Sequence, residues 1–256
     1  MVNTGNLNNG RLTEKSYWLD TSENYTLNRH DTQNDIIQLI RKYISKNDKG
    51  TCFEIGSFPG PFLAAFGDLG YELNGIDFNP RNADEVPNWL KKEGLKVGNF
   101  YSEDFFSFKS EVKYDLICSF GFIEHFINYN DVIQMHINLC KDEGYLMITT
   151  PNFRGLMQKF LHRWLDNENL KQHHLPAMNV SEWKEQLEKA GFEIIFSGYF
   201  GGLRFWVERS HKRKKIAKFS LWIVERVAIR LNKFIKSDSE NYSAYAGIIA
   251  RRIKTK

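Results

Sequence analysis

The chain has 256 residues, enough for one sizeable α/β domain with elaborations but short for two independent ones. With 42% apolar and 26% charged residues it is not a disordered chain, no stretch reaches the roughly 20 uncharged residues of a membrane span, and three scattered cysteines (Cys52, Cys118, Cys140) suggest neither a disulfide framework nor a zinc site. The net charge of +4 is unevenly shared: residues from Arg204 onward carry +11 and the remainder −7.

The opening MVNTGNLNNGRLTEKS is polar and lacks the apolar run of a secretory leader, which makes the cytoplasm the expected compartment. Ile36, Ile37, Ile40, Tyr43 and Ile44 then recur at three- and four-residue spacing, which predicts a helix leading into the core. From Thr51, seven strands are expected: TCFEI, YELNGID, LKVGNF, YDLICSF, GYLMITT, FEIIFSGYF and YSAYAGIIARRI. The first five are separated by crossover-length segments such as PGPFLAAFGDLG and NYNDVIQMHINLCKDEG, the pattern of a doubly wound α/β sheet covered on both faces. Residues 1–256 thus read as a single domain: an N-terminal segment and lead-in helix (1–48), a ligand-binding half (49–151), and two insertions (152–180 and 201–240).

In the second insertion, HKRKKIAKFSLWIVERVAIRLNKFIK sets Ile216, Phe219, Ile223, Val227, Leu231 and Phe234 along one helical stripe, with basic residues elsewhere. This amphipathic, cationic helix has three open uses: covering the pocket or sheet, a homodimer contact, or peripheral contact with the inner membrane face through residues 212–236. No recognisable RNA-binding module stands beside it, so nucleic acid is not an expected partner.

The stretch CFEIGSFPG carries the chemical signal. In an open parallel sheet the turn after the first strand is where glycines let the backbone approach a ligand, and Gly56 and Gly60 occupy that turn. It reads E-x-G-x-x-x-G rather than G-x-G-x-x-G, with Pro59 and Pro61 at the helix start, which disfavours a phosphate cradle and hence a nicotinamide-dependent oxidoreductase. Asp77 closes the second strand, where an acid can accept hydrogen bonds from two ribose hydroxyls. After the third strand Asp104 could accept from an exocyclic amine and Phe105 could lie against a purine ring.

Together with SFGFIEHF after the fourth strand, these features resemble the class I S-adenosylmethionine-dependent methyltransferases over roughly residues 30 to 252. Within them the chain is most similar to the small-molecule branch of the ubiquinone-biosynthesis O-methyltransferases, through Glu124-His125 and Thr150-Pro151-Asn152. The resemblance implies a Rossmann-like seven-stranded sheet with an antiparallel last strand and a helical N-terminal lid. It also implies S-adenosyl-L-methionine held by Glu54, Gly56, Ser57, Gly60, Asp77, Phe78, Asp104, Phe105, Ser119 and Phe120, with Arg29 pairing its carboxylate from the lid. Glu54 would set negative charge where a sulfonium and an ammonium must settle.

Methyl transfer is mostly a matter of placing the acceptor, but a hydroxyl gains from a base, and His is suited to that at neutral pH. His125, His173 and His174 are the candidates, the last two in the insertion expected on the acceptor side. Some relatives hold a divalent metal with E-x-x-E-H, but Gly121 stands where the first acid would be, so no metal is expected. The expected activity is methylation of a hydroxyl on a small or glycan-type metabolite. Transfer to the nitrogen of a small amine and a non-catalytic regulatory subunit are the alternatives.

Overall fold

Strand β1 (Thr51–Ile55) is buried throughout except at Thr51, as a central parallel strand must be when helices cover both its faces. It pairs in parallel with β2 (Glu72–Asp77) and β4 (Tyr114–Phe120). In turn β2 pairs with β3 (Val97–Ser102) and β4 with β5 (Cys140–Pro151), both in parallel. Strand β7 (Ser243–Arg252) runs antiparallel between β5 and β6 (Phe192–Leu203), so the sheet order is β3-β2-β1-β4-β5-β7-β6. This computed structural model describes residues 10–205, 215–235 and 237–254. All seven expected strands form, and the last is antiparallel. Strand β5 starts earlier than GYLMITT indicates, because Cys140 already pairs with Tyr114 before the register shifts.

The predicted lead-in helix is α2 (Asp35–Tyr43), preceded by α1 (Lys15–Ser22). Asn34 caps α2 by accepting the Ile36 N–H at 2.9 Å, a contact that contributes about 1 kcal/mol. Ile36, Ile37 and Ile40 are buried, and with α3 (Leu63–Asp68) and α4 (Glu85–Lys92) they cover one face of the sheet against Leu73, Leu116 and Met147. On the other face α5 (Tyr129–Leu139) and α8 (Val180–Lys189) bring Ile133, Ile137 and Trp183 onto Phe53, Ile117 and Ile148. The first insertion holds α6 (Leu156–Leu165) and α7 (Asn167–Lys171), and the second holds α9 (Lys215–Asn232).

The described part of the apolar stripe of α9 does not lie over the sheet. Ile223, Val227, Leu231 and Phe234 are exposed, whereas the side chains of Ile216 and Phe219, and all of residues 206–214, lie outside the described residues. The helix is tied down at its C-terminal end, where the Asn232 side chain bonds both the N–H and the C=O of Leu203 at 2.8 Å.

Candidate active site

The turn after β1 is folded back onto β2: the N–H groups of Gly56 and Ser57 both donate to the Ile76 carbonyl, at 2.9 and 3.0 Å. Gly56 has φ +78°, and a Cβ there would sit 2.8 Å from the Phe122 ring. Only glycine satisfies both conditions. The Ser57 hydroxyl turns inward, donating to Asn82 Oδ1 at 2.9 Å, and Asn82 in turn donates to the Tyr101 carbonyl at 2.9 Å.

Two acids lie beneath this turn. Asp77 accepts from the Asn79 N–H at 2.8 Å and the Phe58 N–H at 3.4 Å, and burial nevertheless pushes its pKa up to about 6. Glu54 is 3% exposed, its Oε2 is buried without a partner, and burial followed by the nearby Asp77 raises its pKa well above the ordinary carboxylate range. Two desolvated acids this close together suit a positively charged ligand far better than a pyrophosphate.

The N-terminal segment closes this cavity from above. Arg11 forms an antiparallel bridge with Phe126, and the Leu12 N–H donates to the His125 carbonyl at 2.9 Å. Helix α1 follows, with Trp18 edge-on to His125 at 4.7 Å between ring centroids. Its end is anchored by Arg81, which donates to the carbonyls of Ser22, Glu23 and Tyr25 at 3.0, 3.1 and 3.1 Å. The cavity is lined by Arg11, Trp18, Tyr25, Gly56, Asp77 and Phe78, with Phe120, Gly121 and His125 on its far wall.

Phe120, Gly121 and His125 also wall a second chamber, which is completed by His30, Asn34, Glu124, Thr150, His173 and Tyr245. Burial, with His173 next in effect, drives the His125 pKa down to about 3, so the ring is neutral and donates Nδ1–H to the Gln172 carbonyl at 3.0 Å. His173 likewise directs Nδ1 at the Asn169 carbonyl, 2.7 Å away. Glu124 has 0% exposure, neither carboxyl oxygen has a hydrogen-bond partner, and burial pushes its pKa up to about 8. Ligand atoms of Glu124, His125 and His173 lie within 4.8 Å of one another, so this trio has donors of the kind that hold a divalent cation.

The methyltransferase domain family matches residues 28–196, more than half of the sequence. The chain belongs to that family. No curated protein matches it. Among solved structures this methyltransferase is similar to a SAM-dependent methyltransferase from Archaeoglobus fulgidus (17% identity, TM-score 0.53, covering 85% of this chain and 93% of that one). It is also similar to the N-methyltransferase NodS from Bradyrhizobium japonicum, solved with S-adenosyl-L-homocysteine (12%, 0.57, 93% and 98%). A third is magnesium protoporphyrin IX methyltransferase from Synechocystis with bound SAM (12%, 0.51, 85% and 76%). These likenesses establish the Rossmann-like methyltransferase fold.

Of the residues expected at the methyltransferase's site, Gly56, Asp77, Phe78 and Phe120 line the first cavity, and His125 lies on the wall between the two chambers. Gly60, with φ +75°, shapes the turn from behind. Several others are placed elsewhere. Asp104 is held by Lys15 at 2.6 Å and Arg11 at 3.2 Å; burial alone would raise its pKa, but Lys15, the Phe106 N–H and Arg11 hold it below the ordinary value. Phe105 is buried in the core, edge-on to Phe122 and His136. The Ser119 hydroxyl is fully buried against His136 Nε2 at 3.0 Å. Arg29 pairs with Glu93 at 2.7 Å and Asp68 at 3.0 Å on the surface, away from both chambers. His173 lines the second chamber, whereas the His174 ring rests against Tyr129 and lines neither.

Arg11, Tyr25 and Tyr245 were not singled out from the sequence, and Glu124 was noted only as half of an E-H pair. Nothing in the local pattern marks Arg11; Glu124 could have been found as an acid at the C-terminal end of β4, the edge on which ligands bind.

Proposed function

We propose that this methyltransferase transfers a methyl group from S-adenosyl-L-methionine to a hydroxyl of a small or glycan-type metabolite. The observation that carries the reading is the pair of chambers sharing Phe120, Gly121 and His125, with acids on both sides: Asp77 lining the first, with Glu54 close to it and one of its oxygens buried without a partner, and the unpartnered Glu124 lining the second. The donor supplies a methyl already activated on a sulfonium. Glu54 and Asp77 offset the positive charge of such a ligand, Asp77 is placed for ribose hydroxyls, and Arg11 stacked at 5.3 Å on Phe78 forms the lid side of the cavity.

In the second chamber the acceptor's proton goes to Glu124 rather than to His125. Only the ionised form of Glu124 can take that proton, roughly a tenth of it at pH 7 and more above, but at a pKa near 8 that form is a base well matched to neutral pH, whereas an imidazole held near 3 is a poor acceptor. His125 then serves as a neutral wall that orients the acceptor and, with Trp18, keeps water out. The same buried carboxyl favours a second reading, a small amine as acceptor, since an ammonium would pair with its ionised form and give it the proton that must leave before the nitrogen can attack the methyl. Three buried cysteines remain as free thiols, among them Cys52 and Cys118 at 3.9 Å, which supports a reducing, cytoplasmic setting.

Calorimetry tests the donor site: S-adenosylmethionine and S-adenosylhomocysteine should bind the wild type and lose affinity in Asp77→Ala. Absence of heat with either ligand would sink the proposal. Product mass spectra across hydroxyl and amine acceptors then decide which atom receives the methyl.

A further inference from the structure

Helix α6 is inside out. Its buried positions are Gln158 and His162, followed one turn on by buried Asp166, whereas Leu156, Met157, Phe160 and Trp164 are 73, 40, 67 and 64% exposed. A helix serving only to cover a core would be rotated the other way. The polar face is fixed where it is, because Gln158 donates to the Arg204 carbonyl and the His162 ring lies 4.7 Å from Phe205. Leu203, the preceding residue, holds the end of α9 through Asn232. Two helices pinned to consecutive residues of one strand end therefore both turn apolar side chains outward; α9 adds Ile229 at 61% exposure, and the turn that follows it adds Phe234 at 79%.

The charge carried by these two helices is mostly positive. Residues 156–165 contain Lys159 and Arg163 and no acid, and residues 215–234 contain five Lys or Arg against Glu225 alone. Arg226, Arg230 and Lys233 are exposed. A two-fold dimer through this face would set the same cations against each other. An anionic bilayer complements both features, taking Phe and Trp side chains into its interface and the cations against its headgroups. No helix of the described residues is long and apolar enough to cross a membrane, which leaves a helix pair lying on the surface.

We propose that the α6–α9 face docks this methyltransferase onto an anionic lipid surface. Helix α6 begins just beyond Pro151, which lines the second chamber, so docking would bring that chamber to the bilayer and suit an acceptor carried on a lipid. The consequence for the acceptor rests on the methyl-transfer reading; the docking does not.

The test is co-sedimentation of the full chain with vesicles of phosphatidylcholine alone, or of phosphatidylcholine and phosphatidylglycerol in equal parts, without cofactor or acceptor. Binding is expected to the anionic vesicles only, weakened ~10-fold or more by high salt, a comparison that needs no variant. Phe160→Glu/Trp164→Glu should lose ~10-fold or more of the binding while keeping its calorimetric affinity for S-adenosylhomocysteine, which shows that it is folded. Wild-type protein that does not pellet with anionic vesicles overturns the proposal, as does undiminished pelleting of the double variant. A concentration-dependent dimer that the same variant dissolves, with no vesicle binding, would assign the face to a second copy. Because no methyl donor is present, failure of docking and failure of methyl transfer are separate results.

Discussion

Replacing Glu124 with Gln keeps the side chain's shape and removes its ionisation. In the wild type this carboxyl is fully buried with both oxygens unpartnered, and burial moves its pKa from 4.5 to about 8. The folded protein therefore keeps a proton that the unfolded chain has already released, and stability falls as pH rises from about 4.5 to about 8. Below that window both states are protonated, and above it both are ionised. At about 1.4 kcal/mol per pH unit the full effect is about 5 kcal/mol, and water entering the chamber lowers the expected value to about 2–3 kcal/mol. Urea unfolding of both proteins at about pH 5 and about pH 9 measures it. The Gln variant should gain that amount relative to wild type at the higher pH. A difference that does not change with pH would mean that Glu124 ionises freely in the native chamber, and the raised basicity on which its role as the acceptor's base rests would be lost with it.

Gly56→Ala forces a Cβ at φ +78° to within 2.8 Å of the Phe122 ring, so calorimetric affinity for S-adenosylhomocysteine should fall ~10-fold or more; unchanged affinity would show that the turn does not form the site. Arg29→Ala should leave that affinity unchanged and cost under ~1 kcal/mol in stability, because its ion pairs are surface ones, while Arg11→Ala, which strips a wall of the cavity, should weaken binding; the reverse result would restore Arg29 to the site. Burial holds His136 neutral with a pKa of about 4 against 6.5, so the unfolded chain takes up a proton first and stability is lost as pH falls through that interval. His136→Gln should therefore lose ~2 kcal/mol less than wild type between about pH 7 and about pH 5, and an equal loss refutes it.

The central strands are legible because they are short apolar runs bounded by turn residues, and a parallel strand buried on both faces, such as β1, has no other way to be written. The turn was legible for a related reason: Gly56 and Gly60 both sit at positive φ, so the backbone itself dictates the residue. Pairing at a distance was not legible. Asp104 reads locally as an acid free to meet an adenine amine, yet Arg11, 93 residues earlier, reaches it along with Lys15. Arg29 similarly finds Asp68 and Glu93, which no nearby spacing announces. A charged side chain is assigned by whatever opposite charge the fold brings within reach, and that is a property of topology.

The amphipathic helices expose a second limit, and it bears on function. Periodicity shows that a helix has two unlike faces; it does not show which one the protein keeps. For α2 the apolar stripe points inward, and Ile36, Ile37 and Ile40 are buried as read. For α6 the same logic selects the wrong face, because residues 203–205 offer a carbonyl and a ring to Gln158 and His162 and claim the polar side. Burying polar groups against partners while leaving Phe160 and Trp164 in water gives up apolar burial that rotating the helix would recover, of order 1.5–3 kcal/mol for each large side chain. A cost of that size, incurred on two neighbouring helices that are also mostly basic, is what docking of the apolar face onto an anionic surface, as proposed above, would offset.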